Sequence, residues 1–342
     1  MRKVVIHRAG GHDRLTLEDS STPTPGPGEL RIAVAAIGVN YADCVIRMGL
    51  YASAREYVGW PITPGFEVAG EVAAVGEGSP WQVGQEVLAL TRFGGYASEL
   101  VVPATQVFAV PAGLTLPQAA GLPTIFLTAD YALHALARPR AGEWVLVHAA
   151  AGGVGSALVQ MARDHGCQVV GVVGGPHKVG AARALGCTRV IDRSREDLWA
   201  AAKAAAPDGY AAIFDANGVS TLGASYRYLA PAGRLVIYGF HSMMPREGGR
   251  PNYARLAWDY VRTPWFSAMD LVNRNRSVLG FNLSYLFHRA DLLSEAMTRI
   301  VDGFTRGALR MPTVTTYSMD QVAKAHADLE SGQTVGKLVL LP

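Results

Sequence analysis

The sequence predicts an α/β protein in two parts, a small β-barrel or sandwich followed by a doubly wound parallel sheet. Three observations carry that prediction. The chain has 342 residues, more than one ordinary core organises, so two domains of usual size are expected. Up to about Val110 the text is short β-branched runs broken by Gly and Pro, whereas from Trp144 apolar runs, Gly turns and helical stretches alternate. And at Val147–Gln160 the first apolar run of the second part meets the first helical pattern through "VHAAAGGVGSALVQ".

Taken in order, "KVVIHRAG" and "ELRIAVAAIGV" read as strands, and "STPTPGPGE" between them is a Pro/Gly connection that cannot be helix. "EVAGEVAAVG", "QEVLAL" and "YASELVVPA" continue the pattern. Thr115 followed by Gln118 has the form of a capping box, and "PQAAGLPTIFLTADYALHALA" is helical. The strands of the second part are "WVLVHA", "QVVGVV", "TRVID", "AAIFDA", "RLVIYGF" and "SVLGFNL", with crossovers of the length a doubly wound sheet needs. A last helix starts at a second capping box, Ser318 with Gln321, runs to about Glu330 and stops at Gly332 before "KLVLL".

The glycine-rich stretch is long and apolar enough to resemble a membrane span, which needs about 20 uninterrupted residues. Gly152, Gly153 and Gly155 interrupt it, and after them Leu158, Met161, Ala162 and His165 share one helical stripe up to Gly166. Strand, Gly turn and helix in that order present free N–H groups at the positive end of a helix to a pyrophosphate. The alternative is a turn needed for packing. The preferred reading places a dinucleotide on Ala151, Gly152, Gly153, Val154 and Gly155. At the end of the second strand of this part an NAD site carries an acid for the ribose 2′-OH. Here "GVVGGPHK" has Gly174 and then Lys178, and Arg193 follows the third strand. Two cations without a carboxylate favour a 2′-phosphate, so NADPH is the expected cofactor unless both are ordinary surface charges.

Composition narrows the function classes. Hydrophobic residues make up 49% and charged residues 17%, with a net charge of +3, which describes a well-filled globular chain without the Lys/Arg block of a nucleic-acid binder. Cys44, Cys167 and Cys187 form no C-x-x-C pair, so neither a disulfide framework nor a four-Cys zinc site is expected. The opening "MRKVVIHRAGG" turns polar after a short apolar run, and a cytoplasmic protein is the default.

The run "GEWVLVHAAAGGVGSALVQMAR" resembles the signature of the zeta-crystallin/quinone oxidoreductase group of the medium-chain dehydrogenase/reductase superfamily. "GVNYADCVIRMGLY", "PGFEVAGEV", "GLPTIFLTADYAL" and "GKLVLLP" extend the likeness over nearly the whole chain, and "LVNRNRSVLGFNLSYL" with the insert before it is most like the vesicle amine transport protein homologues. The resemblance implies a GroES-like β-barrel catalytic domain over 1–122, completed by 288–342, and a Rossmann NADPH-binding domain over 123–287. It also implies cofactor binding in the cleft and a homodimer. Zinc-dependent relatives carry metal ligands where this chain has Asn40 and Phe66 and, in "GLPTIFL", no thiol. A metal-free enzyme is therefore expected.

Without a Lewis acid, hydride delivery favours an acceptor already electron-poor, a quinone or the β-carbon of an α,β-unsaturated carbonyl (an enone). The resemblance implies that Asn40, Asp43, Arg47 and Tyr51 line the cleft by the nicotinamide. Asn40 then bonds the nicotinamide or substrate oxygen, or else caps a turn. Asp43 orients Arg47 or the ribose, or forms a structural pair. Tyr51 is the candidate proton donor, or a packing ring, and Val45 stands where several relatives have a second Tyr, so solvent is the other proton source. Thr128, Asn217, Gly218, Gly239, Phe240 and Phe281 are carried over as further cofactor contacts.

Between Phe240 and Asn275 an insert combines Arg246, Arg250, Arg255 and Arg262 with Trp258, Trp265 and Phe266. A helix from about Asn252 puts Tyr253, Leu256, Ala257 and Tyr260 on one stripe and ends before Pro264. Packing within the protein is the simplest use; a lid, a dimer contact and a membrane-surface element are the others, the last disfavoured for want of a clean basic side. The functional expectation is an NADPH-dependent quinone or enone reductase. An enoyl-thioester reductase and a nucleotide-binding regulatory protein with little catalysis are the alternatives.

Overall fold

The computed structural model describes residues 1–245 and 247–342; Arg246, named in the insert, lies outside the described residues. The chain forms two compact units. One comprises Met1–Leu127, a short segment up to Pro251, and Leu283–Pro342; the other comprises Thr128–Pro245 and Asn252–Asn282.

The first unit is built on a seven-stranded sheet in the order Val314–Ser318, Lys337–Leu341, Glu29–Val39, Glu67–Val75, Glu86–Leu90 and Val107–Ala109, with Glu99–Pro103 also on Glu29–Val39. Its long strand Glu29–Val39 carries two register shifts against Glu67–Val75, which bend it. One edge then serves two partners, Glu99–Pro103 at residues 29–33 and the C-terminal strand at 37–39. Leu30, Ile32, Ile37, Val68, Val72, Leu338 and Leu340 are all buried in the core this bent sheet covers. Gly70 is needed where two backbones touch, since a Cβ there would lie 2.0 Å from the Ala33 oxygen. Thr16–Asp19 pairs with Arg2–Val5 in a separate ribbon.

The second unit holds a six-stranded parallel sheet in the order Arg189–Asp192, Gln168–Val173, Trp144–Val147, Tyr210–Asp215, Leu229–Ile237 and Ser277–Gly280. In chain order this is third, second, first, fourth, fifth, sixth, the doubly wound arrangement with its reversal between first and fourth strands. Buried on both faces, Val169, Val170, Val172 and Val173 read as a continuous apolar run rather than an alternation. The predicted long helix before this sheet is in fact broken: Leu116–Ala120 ends at Gly121, Pro123–Asp130 follows, and Tyr131–Ala137 widens into π-helical turns. Gly121 and Pro123 break the periodic stretch.

In the insert, Asn252 caps helix Tyr253–Arg262 by accepting the Arg255 N–H at 3.0 Å, and the helix ends before Pro264. Its stripe does not pack inward. Tyr253 and Tyr260 are 66% and 72% exposed, Trp258 62% and Trp265 93%. Phe266 alone of the named aromatics is docked, on Tyr226 at 5.2 Å. Among the described residues no helix is long and apolar enough to cross a membrane.

Candidate active site

The glycine turn lies at the carboxyl end of the sheet, where Trp144–Val147 gives way to helix Gly153–Asp164. Ala149 adopts φ +52°, a left-handed conformation costly for any residue with a Cβ. It folds the chain back so that Gly152 bonds the Ala149 carbonyl at 2.8 Å and caps the helix. At Gly155 a Cβ would lie 2.1 Å from the Ala149 oxygen, so this glycine is dictated by turn-on-helix contact. The N–H groups of the first helical turn have no partner within their own helix. The turn thus fits a diphosphate on its backbone amides.

At the end of Gln168–Val173 the chain runs through Gly174 and Gly175 into the turn Pro176–Lys178. The Arg193 guanidinium lies over Gly174, its Nη2 3.8 Å from where a Cβ would stand. Burial and the Arg193 charge both lower the Lys178 pKa. Lys178 and Arg193 are thus close enough to repel each other near the end of this strand, and a dianion between them would relieve that repulsion. The acid in reach, Asp192, accepts the Ser194 hydroxyl at 2.6 Å and its N–H at 3.0 Å through Oδ1, while Oδ2 has no hydrogen-bond partner and lies 3.8 Å from the Arg195 Nε.

The loops after the fourth and fifth strands are zipped together. His241 N–H meets the Ala216 carbonyl at 2.9 Å and Ser242 N–H the Asn217 carbonyl at 2.8 Å. Asp215 organises this edge. Its Oδ1 accepts the N–H groups of Asn217 and Gly218 at 2.8 and 3.1 Å, and its Oδ2 the hydroxyls of Thr221 and Ser225 at 2.7 and 2.9 Å. His148, fully buried with its pKa lowered by burial, lies 3.2 Å from the Ser225 hydroxyl. Asn217 is thereby held at the sheet edge, Gly218 is left-handed at φ +83°, and Phe240 lies against it, 45% exposed. At Gly239 a Cβ would meet the Ala216 oxygen at 2.9 Å. Phe281 packs on Tyr131 at 5.0 Å, and Thr128, near the end of its helix, is buried. Asp215 and His148 were not singled out from the sequence, although an acid closing the apolar run "AAIFDA" is a signal for them.

In the first unit the expected catalytic residues are drawn together on and around helix Tyr41–Arg47, with partners the sequence reading did not supply. Asn40 Nδ2 donates to Glu67 Oε1 at 2.8 Å, Lys337 Nζ donates to Asn40 Oδ1 at 2.6 Å, and Lys337 meets Glu67 Oε1 at 2.7 Å. Gly38 makes room for this cluster, because a Cβ there would overlap the Glu67 carboxylate. The second Glu67 oxygen accepts the Thr124 N–H at 2.7 Å. Asn40 is thus held at both ends of its amide, with one N–H and one lone pair of the amide used.

Asp43 does not orient Arg47. It accepts the N–H of Asn40 at 2.8 Å, the N–H of Gly65 at 3.0 Å and the hydroxyl of Tyr96 at 3.0 Å. Burial raises its pKa to about 7 against those donors and the Lys337 charge. Since the Tyr96 proton is spent on Asp43, the His326 Nε2 that lies 3.1 Å from the hydroxyl is the donor to it. Arg47 is wholly buried and pairs with Glu330, which also meets His12 at 2.9 Å. A lining role for Arg47 is therefore corrected to an internal one: its Nη2 pairs with Glu330 on helix Val322–Ser331, while its Nε and Nη1 are buried without a hydrogen-bond partner. Tyr51 stands apart, half-buried before helix Ala52–Tyr57 with its ring edge-on to Phe66 at 5.9 Å.

Cys44, His326 and Glu330 bring one donor atom each within 4.8 Å of one another, the spacing of a metal site. Glu330 is already neutralised by Arg47, and burial and Glu330 together hold the Cys44 thiol pKa well above its usual value. An internal cation does there what a metal would otherwise do.

Comparison with known proteins agrees with this geometry. Residues 26–112 match the alcohol dehydrogenase GroES-like domain and residues 153–300 the zinc-binding dehydrogenase family. The human synaptic vesicle membrane protein VAT-1 homolog is 34% identical over all of this chain and 86% of its own length. The chain belongs to the medium-chain dehydrogenase/reductase superfamily. Within it, the chain falls in the zinc-independent quinone oxidoreductase group near the VAT-1 branch. A Burkholderia 2-haloacrylate reductase of this superfamily is 33% identical over 99% of the chain and 98% of its own. The Escherichia coli quinone oxidoreductase complexed with NADPH superposes with a TM-score of 0.86 at 26% identity, over 100% of both chains. The barrel unit is accordingly GroES-like and the parallel-sheet unit a Rossmann domain, and the protein is an oxidoreductase of the medium-chain type.

Proposed function

We propose that the protein is a zinc-independent, NADPH-dependent reductase of quinones or of the C=C bond of α,β-unsaturated carbonyl compounds. The observation that carries the reading is the pairing of a helix-capping glycine turn with Arg193 over Gly174 and Lys178 close enough to feel the Arg193 charge. The turn suits the diphosphate and the cations suit a 2′-phosphate. Bound there, NADPH would supply the hydride. Asp215 fixes the loop carrying Asn217 for it, and the Asn40–Glu67–Lys337 cluster fixes the entry to helix Tyr41–Arg47. Tyr51 is the candidate to protonate the product, with solvent as the alternative. The acceptor class is supported by the two enzymes named above, one acting on quinones and one on a 2-haloacrylate, whose double bond is conjugated to a carboxylate.

A steady-state assay tests the reading: NADPH oxidation with a panel of quinones, enones, 2-haloacrylates and enoyl thioesters. Turnover with a quinone or conjugated alkene is expected; tight NADPH binding with no turnover on any of them would favour a nucleotide-binding regulatory protein instead. That second reading is supported by Asn40, Asp43 and Arg47 all being turned inward. A homodimer is also proposed, supported by the apolar side of helix Tyr253–Arg262. Sedimentation should show a dimer that Tyr253→Asp with Tyr260→Asp, both exposed on that side, converts to monomer.

A further inference from the structure

A cavity of about 330 Å³ opens in the Rossmann unit, lined by Lys203, Asp208, Gly209, Arg227, Tyr228 and Arg276 among others. It lies at the amino-terminal edge of the parallel sheet, where Tyr210–Asp215, Leu229–Ile237 and Ser277–Gly280 begin. The glycine turn is at the opposite edge, so this cavity is no part of the dinucleotide site. Its walls are fixed by local structure. Gly209, at φ +94°, brings the chain so close to the next strand that a Cβ would lie 2.8 Å from the Ala230 nitrogen. Tyr228 is backed by Trp199 at 4.9 Å.

Charge is the unusual feature. Three cations and one carboxylate line the cavity, which leaves two positive charges over. Among the described residues none of the three cations is within ion-pair distance of an acid. Lys203 Nζ donates to the Pro207 carbonyl. Arg276 donates Nη1 to the Tyr226 carbonyl at 3.0 Å, and its Nε is buried with no hydrogen-bond partner. The neighbouring Asp270 is taken by Arg274 at 2.7 Å. Like charges held round one concavity raise the local concentration of anions, and guanidinium groups suit phosphate oxygens in particular. The volume suits a small molecule.

We propose that this cavity binds a small organic dianion, a phosphate monoester whose flat part lies on Tyr228, at a site separate from the dinucleotide. The test is calorimetric titration of the NADPH-saturated protein with phenyl phosphate and with inorganic phosphate, in buffer free of other oxyanions. One saturable site is expected, tighter for phenyl phosphate. Arg227→Ala and Lys203→Ala, at exposed positions where the fold has little to lose, should each weaken it about tenfold. Lys178→Ala should leave it unchanged. Absence of saturable heat from both probes, heat that survives the Arg227→Ala/Lys203→Ala double variant, or heat abolished by Lys178→Ala would each overturn the proposal.

Discussion

Lys178 shows how one side chain discriminates between two dinucleotides that differ by a single phosphate. Its charge, already disfavoured by burial and by Arg193, gains from a dianion and little from a hydroxyl. Lys178→Ala is expected to raise the Kd for NADPH about tenfold or more and that for NADH by much less, as read by fluorescence titration; equal losses would count against the 2′-phosphate assignment. Asp215 is the residue on which the cofactor edge depends structurally. Asp215→Ala strands four donors, and each buried donor left without a partner costs about 1–3 kcal/mol, so a loss of at least about 3 kcal/mol in chemical denaturation is expected. Tyr51→Phe separates the two proton sources. A fall in kcat of about a hundredfold identifies the phenol as the acid, whereas a change of less than about threefold leaves solvent. At this scale the turn glycines and Lys178 were legible because they act within a few residues of themselves. The partners of Asn40 and Arg47 were not, because they are 297 and 283 residues away in sequence.

Helix Tyr41–Arg47 illustrates the next scale. Seven residues long, it is too short to be stable by itself. Contacts from distant segments hold both ends: Lys337 and Glu67 through Asn40, and Glu330 through Arg47. Removing one member of a buried ion pair costs about 3–5 kcal/mol because the other is left charged and unpaired. Lys337→Met should show that loss in denaturant unfolding, and Glu67→Gln added to it should recover a large part. The same packing makes an acid-sensitive joint. His326 is fully buried, and burial, Arg47 and His12 keep its pKa well below the usual histidine value. Below about pH 6.5 the unfolded chain takes up a proton that the folded one refuses, so stability falls as pH falls. His326→Gln, which retains a donor for Tyr96, should lessen the drop in unfolding midpoint between pH 7 and 5; an unchanged drop would place its origin elsewhere. Strands and the two capping boxes were legible at this scale, since alternation and cap chemistry are local. The break at Gly121 and the π-helical turns after Asp130 were not, because an apolar periodic stretch looks alike whether or not its hydrogen bonds shift.

For the molecule as a whole, the internal ion pairs carry a consequence for metals. Lys337 and Arg47 neutralise the buried acids Glu67 and Glu330 without an ion, so exhaustive treatment with a chelator is expected to leave both the melting temperature and NADPH oxidation unchanged. The sequence by itself determined the two-part architecture, the strand–glycine turn–helix and the doubly wound order of the second sheet, because these follow from periodicity and turn chemistry over tens of residues. Only the tertiary structure decided that Asn40, Asp43 and Arg47 face inward, that the stripe of helix Tyr253–Arg262 faces outward, and that three cations meet across the far edge of the Rossmann sheet. Those outcomes depend on which distant side chains share a buried space, and charge pairing across such distances leaves no periodic mark in the chain.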